Sequence, residues 1–189
     1  DGATLLAHLE KIVQYNVQSS EKEKFDGVML DIEPYISDSW KENPEEYMDR
    51  YISCMKKGYK FAQKNHLRTA ICIPRHYDNQ GLTSGLEELI KETCDEVAVM
   101  NYSCGNEIEA IRTEAALSEK YGKELHCILE FQEVGKHGLT ENKTYRNKGI
   151  DNAKETWEKL QKEYKNINVT RDYHWSRPVR EMLEEKNAD

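Results

Sequence analysis

The chain has 189 residues, 38% hydrophobic and 33% charged, with a formal net charge of −8. That length sustains one domain with a real core, read here as spanning 1–189. The acidic balance, with no basic block, argues against nucleic acid or an anionic membrane surface as partner. No apolar run approaches the ~18 residues of a membrane helix, and no signal peptide is visible.

The chain opens on helix-like sequence, "DGATLLAHLEKIVQ", with no strand before it. The first strand is expected at about 25–33, in "KFDGVMLDIEPY", where apolar residues alternate until Pro34. Residues 43–66 follow as a helix, begun by Asn43 as cap and Pro44 at the first helical position. The Tyr47, Tyr51, Met55 and Tyr59 stripe on it reads as a packed face. A second strand is expected at about 68–75, a short helix in "LTSGLEELIKET", and a third strand at about 96–103. Residues 105–121 then read as one amphipathic helix. The fourth strand is expected at about 124–132, a helix at 150–165 and the fifth strand at about 169–175. "RPVREMLEEK" closes the order as a charged helix.

One helix followed by five β-α units implies parallel strands with right-handed crossovers, hence an α/β fold. An open doubly wound sheet and a (β/α) TIM-type barrel both fit. No Gly-rich phosphate loop follows any strand, so the nucleotide-binding form of the open sheet lacks its main signature. Five units are too few for a barrel of eight. The expectation is therefore the C-terminal five β-α units of a barrel, N-terminally truncated. An incomplete barrel would expose a strand edge and favour self-association.

In either architecture ligands sit at the carboxyl ends of the strands. Those ends carry Asp31 and Glu33; Arg75 and His76; Asn101, Tyr102 and Ser103; Glu130, Gln132 and Glu133; and His174 and Trp175. Strand alternation puts Asp31 and Glu33 on one face, opposite Val28, Leu30 and Ile32. It puts Glu130 and Gln132 opposite Leu125, Cys127, Leu129 and Phe131. The acids thus face the interior, where Glu33 and Glu130 are candidate catalytic carboxylates. An ion pair of Asp31 and Glu33 with Arg75 or Arg171 is the structural reading of the same residues. The five cysteines have neither zinc-site nor C-x-x-C spacing and read as structural thiols. No metal site and no cofactor are expected.

"DGVMLDIE" resembles the strand signature D-G-x-D-x-D-x-E of family 18, chitinase-type glycoside hydrolases, matching at Asp26, Gly27, Asp31 and Glu33. "VMNYS" resembles the Met-x-Tyr-Asp strand of that family, with Met100 and Tyr102 kept. Similar patterns occur in uncharacterised chitinase-like barrels. The resemblance implies a hydrolase of glycans containing N-acetylhexosamine, with Glu33 as general acid. Asp31 would orient the N-acetyl group, Tyr102 would bond to it and Trp175 would floor the sugar site. Asn101, His76, Gln132 and His174 complete the expected substrate-binding set. An oligosaccharide or polysaccharide is then the partner, and an extracellular or cell-envelope location is implied.

The sequence departs from that signature at Met29 and Ser103, where the family has acids. A catalytically inactive carbohydrate-binding protein on the same fold is therefore an alternative. A second glycosidase mechanism places acid/base and nucleophile on Glu33 and Glu130, as in retaining barrel enzymes. A metal-dependent phosphodiesterase-type barrel is a further alternative.

Overall fold

The structure, a computed structural model, describes residues 2–188, with side chains through residue 185. The elements run α1 (Ala3–Gln18), β1 (Gly27–Asp31), α2 (Asp38–Glu42), α3 (Pro44–Lys64), β2 (Arg68–Pro74), α4 (Thr83–Glu92) and β3 (Glu96–Met100). They continue with α5 (Glu107–Ala110), α6 (Arg112–Tyr121), β4 (Glu124–Glu130), α7 (Ile150–Glu163), β5 (Val169–His174) and α8 (Ser176–Ala188). The five strands form one all-parallel sheet in the order β1-β2-β3-β4-β5, flanked by helices. Among the described residues no helix is long and apolar enough to cross a membrane.

The chain divides into two compact units. One comprises Asp1–Ile73 with Tyr77–Val97, the other Pro74–His76 with Ala98–Asp189. In the first unit, β1 pairs with β2 in parallel from Gly27 opposite Arg68 to Asp31 opposite Cys72. Gly27 is there because a Cβ would come 2.9 Å from the Arg68 carbonyl oxygen, a contact no L side chain tolerates. The Arg68 N–H donates to the Asp26 oxygen at 2.9 Å, which seats the start of the pair. Val28 and Leu30 are half-buried, whereas Met29 and Asp31 are exposed, so the strand has the two unequal faces its alternation implies.

Helix α3 begins as its sequence dictates. Pro44 stands at the first helical position, and Asn43 accepts from the Glu46 N–H while its amide donates to the Glu46 carboxylate. Its buried residues are Met48, Tyr51, Ile52, Met55, Gly58 and Ala62. That stripe follows i, i+3, i+4, i+7 spacing and is centred on Tyr51 and Met55, with Tyr47 and Tyr59 at its margins. Tyr59 instead reaches out to donate to Asp95 at 2.7 Å, and Asp95 also accepts the Thr69 N–H at 2.9 Å.

In the second unit β4 pairs with β5 in parallel, from Leu125 opposite Val169 to Glu130 opposite His174. Leu125, Cys127, Leu129 and Phe131 are fully buried, and Trp157 of α7 donates its indole N–H to the Cys127 carbonyl at 2.9 Å. The stretch 105–121, expected as one helix, is two. Ile111 has φ −126° and ψ 19°, and its buried side chain sits at the break between α5 and α6. Helix α6 then stops at Gly122, whose φ of 63° is the left-handed C-terminal geometry that glycine adopts without steric cost. All five cysteines are free thiols, with Cys72, Cys94 and Cys127 buried.

Candidate functional site

In the first unit the strand stops at Asp31, and Glu33 lies beyond it with φ −108° and ψ 75°, just before the turn Pro34–Ile36. The alternation rule therefore governs Asp31, which is exposed, but the direction of Glu33 is set by the turn. Glu33 is half-buried, and the Tyr35 hydroxyl donates to its Oε1. Tyr35 packs edge-on to Tyr77 at 6.1 Å between ring centres, and Tyr77 lies 5.6 Å from Trp40. Burial and the Glu33 charge push the phenols of Tyr35 and Tyr77 far above their ordinary range. Tyr35 therefore stays a hydrogen-bond donor at any working pH. The sequence reading missed Tyr35, Tyr77 and Trp40. Only Tyr35, two residues beyond Glu33, offered a local clue.

The second unit gathers more of the expected residues. Glu130 ends β4 with 2% of its surface exposed. Its Oε1 accepts the backbone N–H groups of Phe131 at 2.8 Å and Gln132 at 2.7 Å. Its Oε2 accepts from the Gln132 side-chain amide at 3.2 Å and from His174 Nδ1 at 2.8 Å. Burial disfavours the charge, but the bonds from His174 and Gln132 outweigh it and hold the carboxyl below its usual range. With N–H donors on both oxygens, Glu130 is built as an ionised acceptor and not as a metal ligand.

The loop after β4 folds back onto the main chain at the end of the strand. The Tyr145 N–H donates to the Glu130 carbonyl at 2.8 Å, and the Thr144 hydroxyl donates to the Gln132 carbonyl at 2.6 Å. The His174 side chain is 47% exposed, and the Tyr102 ring lies 6.1 Å from its imidazole. The His174–Trp175 peptide is cis. Trp175 is half exposed, beside a groove of about 310 Å³ lined by Gln132, Lys136, His137, Trp175 and Arg177 among others.

The remaining expected residues are placed differently. Asn101 is 1% exposed and spends its amide on the Glu107 carbonyl at 2.9 Å, beside Cys127 Sγ at 3.5 Å. That makes it the anchor of the loop after β3. Arg75 and His76 are half-buried at the end of β2. Arg171 meets Glu158 of α7 at 3.8 Å. A buried acid that the sequence reading passed over, Glu107, accepts from the Tyr145 hydroxyl and from the Gly105 N–H at 2.9 Å. Burial and the Glu107 charge push the nearby Cys104 thiol up to about 11.

The chemistry of the second cluster is acid–base and hydrogen-bonding, with one aromatic face open to a ligand. Comparison of the chain with protein-family models, with curated proteins and with solved structures finds no match.

Proposed function

We propose that the protein hydrolyses a glycan containing N-acetylhexosamine, on five consecutive β-α units of a (β/α) barrel of chitinase-like type. The observation that carries this reading is the cluster at the ends of β4 and β5. A buried, ionised Glu130 holds His174 and Gln132 beside the half-exposed Trp175 and its groove. An indole face open to solvent next to fixed polar groups is how a sugar ring is gripped, by stacking on its apolar face and hydrogen bonds at its rim.

In this reading Glu33 supplies the general acid, as the resemblance implies. Glu130 orients its neighbours and does not attack carbon, because both of its oxygens already accept N–H groups. The test is hydrolysis of fluorogenic chito-oligosaccharides, set beside other oligosaccharides, by the wild type and Glu33→Gln. Turnover lost in Glu33→Gln supports the enzyme. Binding without turnover, unchanged by that substitution, sinks it.

That second outcome defines the rival reading, a carbohydrate-binding protein on the same framework. It is favoured by Met29, a half-exposed thioether where the resembling signature has an acid.

A further inference from the structure

We infer that Gln132 sets the specificity of the groove beside Trp175: its amide oxygen accepts a hydroxyl or amide proton from a neutral sugar ring. The inference rests on the glycan reading above and deepens it, and it holds for a hydrolase and a binding protein alike. All of its residues lie in the second unit.

The protein itself engages the rest of Gln132. Its backbone N–H donates to Glu130 Oε1 at 2.7 Å, and its carbonyl accepts from the Thr144 hydroxyl at 2.6 Å. Its side-chain nitrogen Nε2 donates to Glu130 Oε2 at 3.2 Å. A primary amide has a donor end and an acceptor end, and a carboxylate only accepts. Glu130 therefore selects the nitrogen end. Turned the other way, the amide would set two oxygens against each other at 3.2 Å with no proton between them.

The carboxylate that imposes this orientation is itself fixed. Its Oε1 also accepts the Phe131 N–H at 2.8 Å, and His174 Nδ1 lies 2.8 Å from its Oε2. Glu130 is 2% exposed, whereas Gln132 lines the groove of about 310 Å³ together with Trp175. With the nitrogen turned to the buried acid, the oxygen is the end that the groove meets.

The ionic groups of the groove set the charge of its ligand. Lys136 and Arg177 line it, as do Glu133 and Glu181, and Arg177 Nε already meets Glu181 at 2.9 Å. Two cations against two acids leave no net field to draw in an anion. A sugar stacked by its C–H face on the half-exposed indole of Trp175 carries its hydroxyl and acetamido groups around its rim. A fixed acceptor at that rim discriminates against a ring that lacks the matching donor.

The experiment is an NMR titration that follows the Trp175 indole N–H. The probes are methyl N-acetylglucosaminide and analogues that each lack one ring hydroxyl or the acetamido group. In the wild type one analogue is expected to bind about 5- to 10-fold more weakly than the parent, the effect of one neutral hydrogen bond. In Gln132→Met that penalty is expected to vanish while the other analogues keep theirs. In Glu130→Gln the amide of Gln132 is no longer held by a pure acceptor, so the same penalty is expected to shrink. The wild-type panel needs no variant, and Glu130→Gln supplies the second reading where Gln132→Met melts early. A wild type that binds the parent and every analogue equally, or a penalty unchanged in folded Gln132→Met, overturns the assignment. A uronic acid that binds more tightly than the neutral parent overturns the ligand class. A wild type that binds neither these sugars nor any oligosaccharide overturns the glycan reading itself.

Discussion

Removing the Glu130 side chain tests the site's framework and its electrostatics together. In Glu130→Ala the four N–H groups that meet the carboxylate are not equally exposed to the loss. Phe131 N–H keeps the His174 carbonyl at 3.0 Å. Gln132 N–H loses its acceptor in a half-buried place, a cost of about 1–2 kcal/mol. The charge-assisted bond to His174 is worth about 1.5–3 kcal/mol in a buried setting. Because His174 is half exposed, about 1 kcal/mol is the fairer figure. The gap left by the side chain adds about another kcal/mol. The expected loss is thus about 3–4 kcal/mol, which for a chain of this length is a drop of roughly 10 °C in Tm.

Glu130→Gln keeps an oxygen for the backbone N–H groups and loses chiefly the charge, so it should cost about 1 kcal/mol. The pH dependence follows from the sign of the Glu130 shift. Its folded pKa lies below the ordinary 4.5, so the ionised carboxylate's contribution is complete above that value. It is lost as pH falls through the folded pKa. The stability gap between wild type and Glu130→Gln should therefore be full at pH 7 and close in strong acid. Urea melts at a series of pH values measure it. A gap that is constant with pH, or a Glu130→Ala protein as stable as wild type, refutes the reasoning.

Two further outcomes are expected. In the native protein Cys72, Cys94 and Cys127 should resist iodoacetamide at pH 8, being buried, and the Cys127 thiol is pushed up to about 12 by that burial. Half-buried Cys104, at about 11, should react slowly. Mass spectrometry should find all five labelled in denaturant, and labelling of native Cys127 would contradict the packing of β4. Gly58→Ala should destabilise by about 1 kcal/mol in a thermal melt. Overpacking of the new Cβ, 2.6 Å from Leu5 Cδ2 and 3.2 Å from its Cγ, exceeds the ~1 kcal/mol gained in helix propensity. A stabilised variant would show that α1 yields more easily than its packing implies.

Strand positions were legible as short apolar runs, which β2 and β3 bury on both faces, while the first half of β4 keeps a period-2 alternation. Leu125, Cys127, Leu129 and Phe131 are all fully buried, and the opposite face of that strand led directly to Glu130. Where the pattern ends, legibility ends too. Glu33 lies past the last residue of β1, so alternation could not say where its carboxylate points. The break at Ile111 was hidden because α5 and α6 share one apolar periodicity, and no Gly or Pro marks the kink. The partners Tyr145 for Glu107 and His174 for Glu130 are 38 and 44 residues apart in sequence. Such contacts arise from the topology, which brings loop ends together, and no local spacing encodes them.

The pairing of β4 with β5 has a consequence for how the last strand finds its alignment. Along β5 only Val169 is buried, so hydrophobicity gives little preference for one alignment over another. Two hydrogen bonds make up the difference: His126 Nδ1 to Asp172 at 2.8 Å and His174 to Glu130, also at 2.8 Å. Sliding β5 by two residues in one direction would set Glu130 opposite Asp172, one acid against another. Sliding it the other way would bring His174 opposite Ile128 and leave the buried carboxylate without its imidazole partner. The histidines therefore act as a two-toothed key that admits β5 in a single alignment, and the tooth that selects it, His174, directly precedes the groove-lining Trp175.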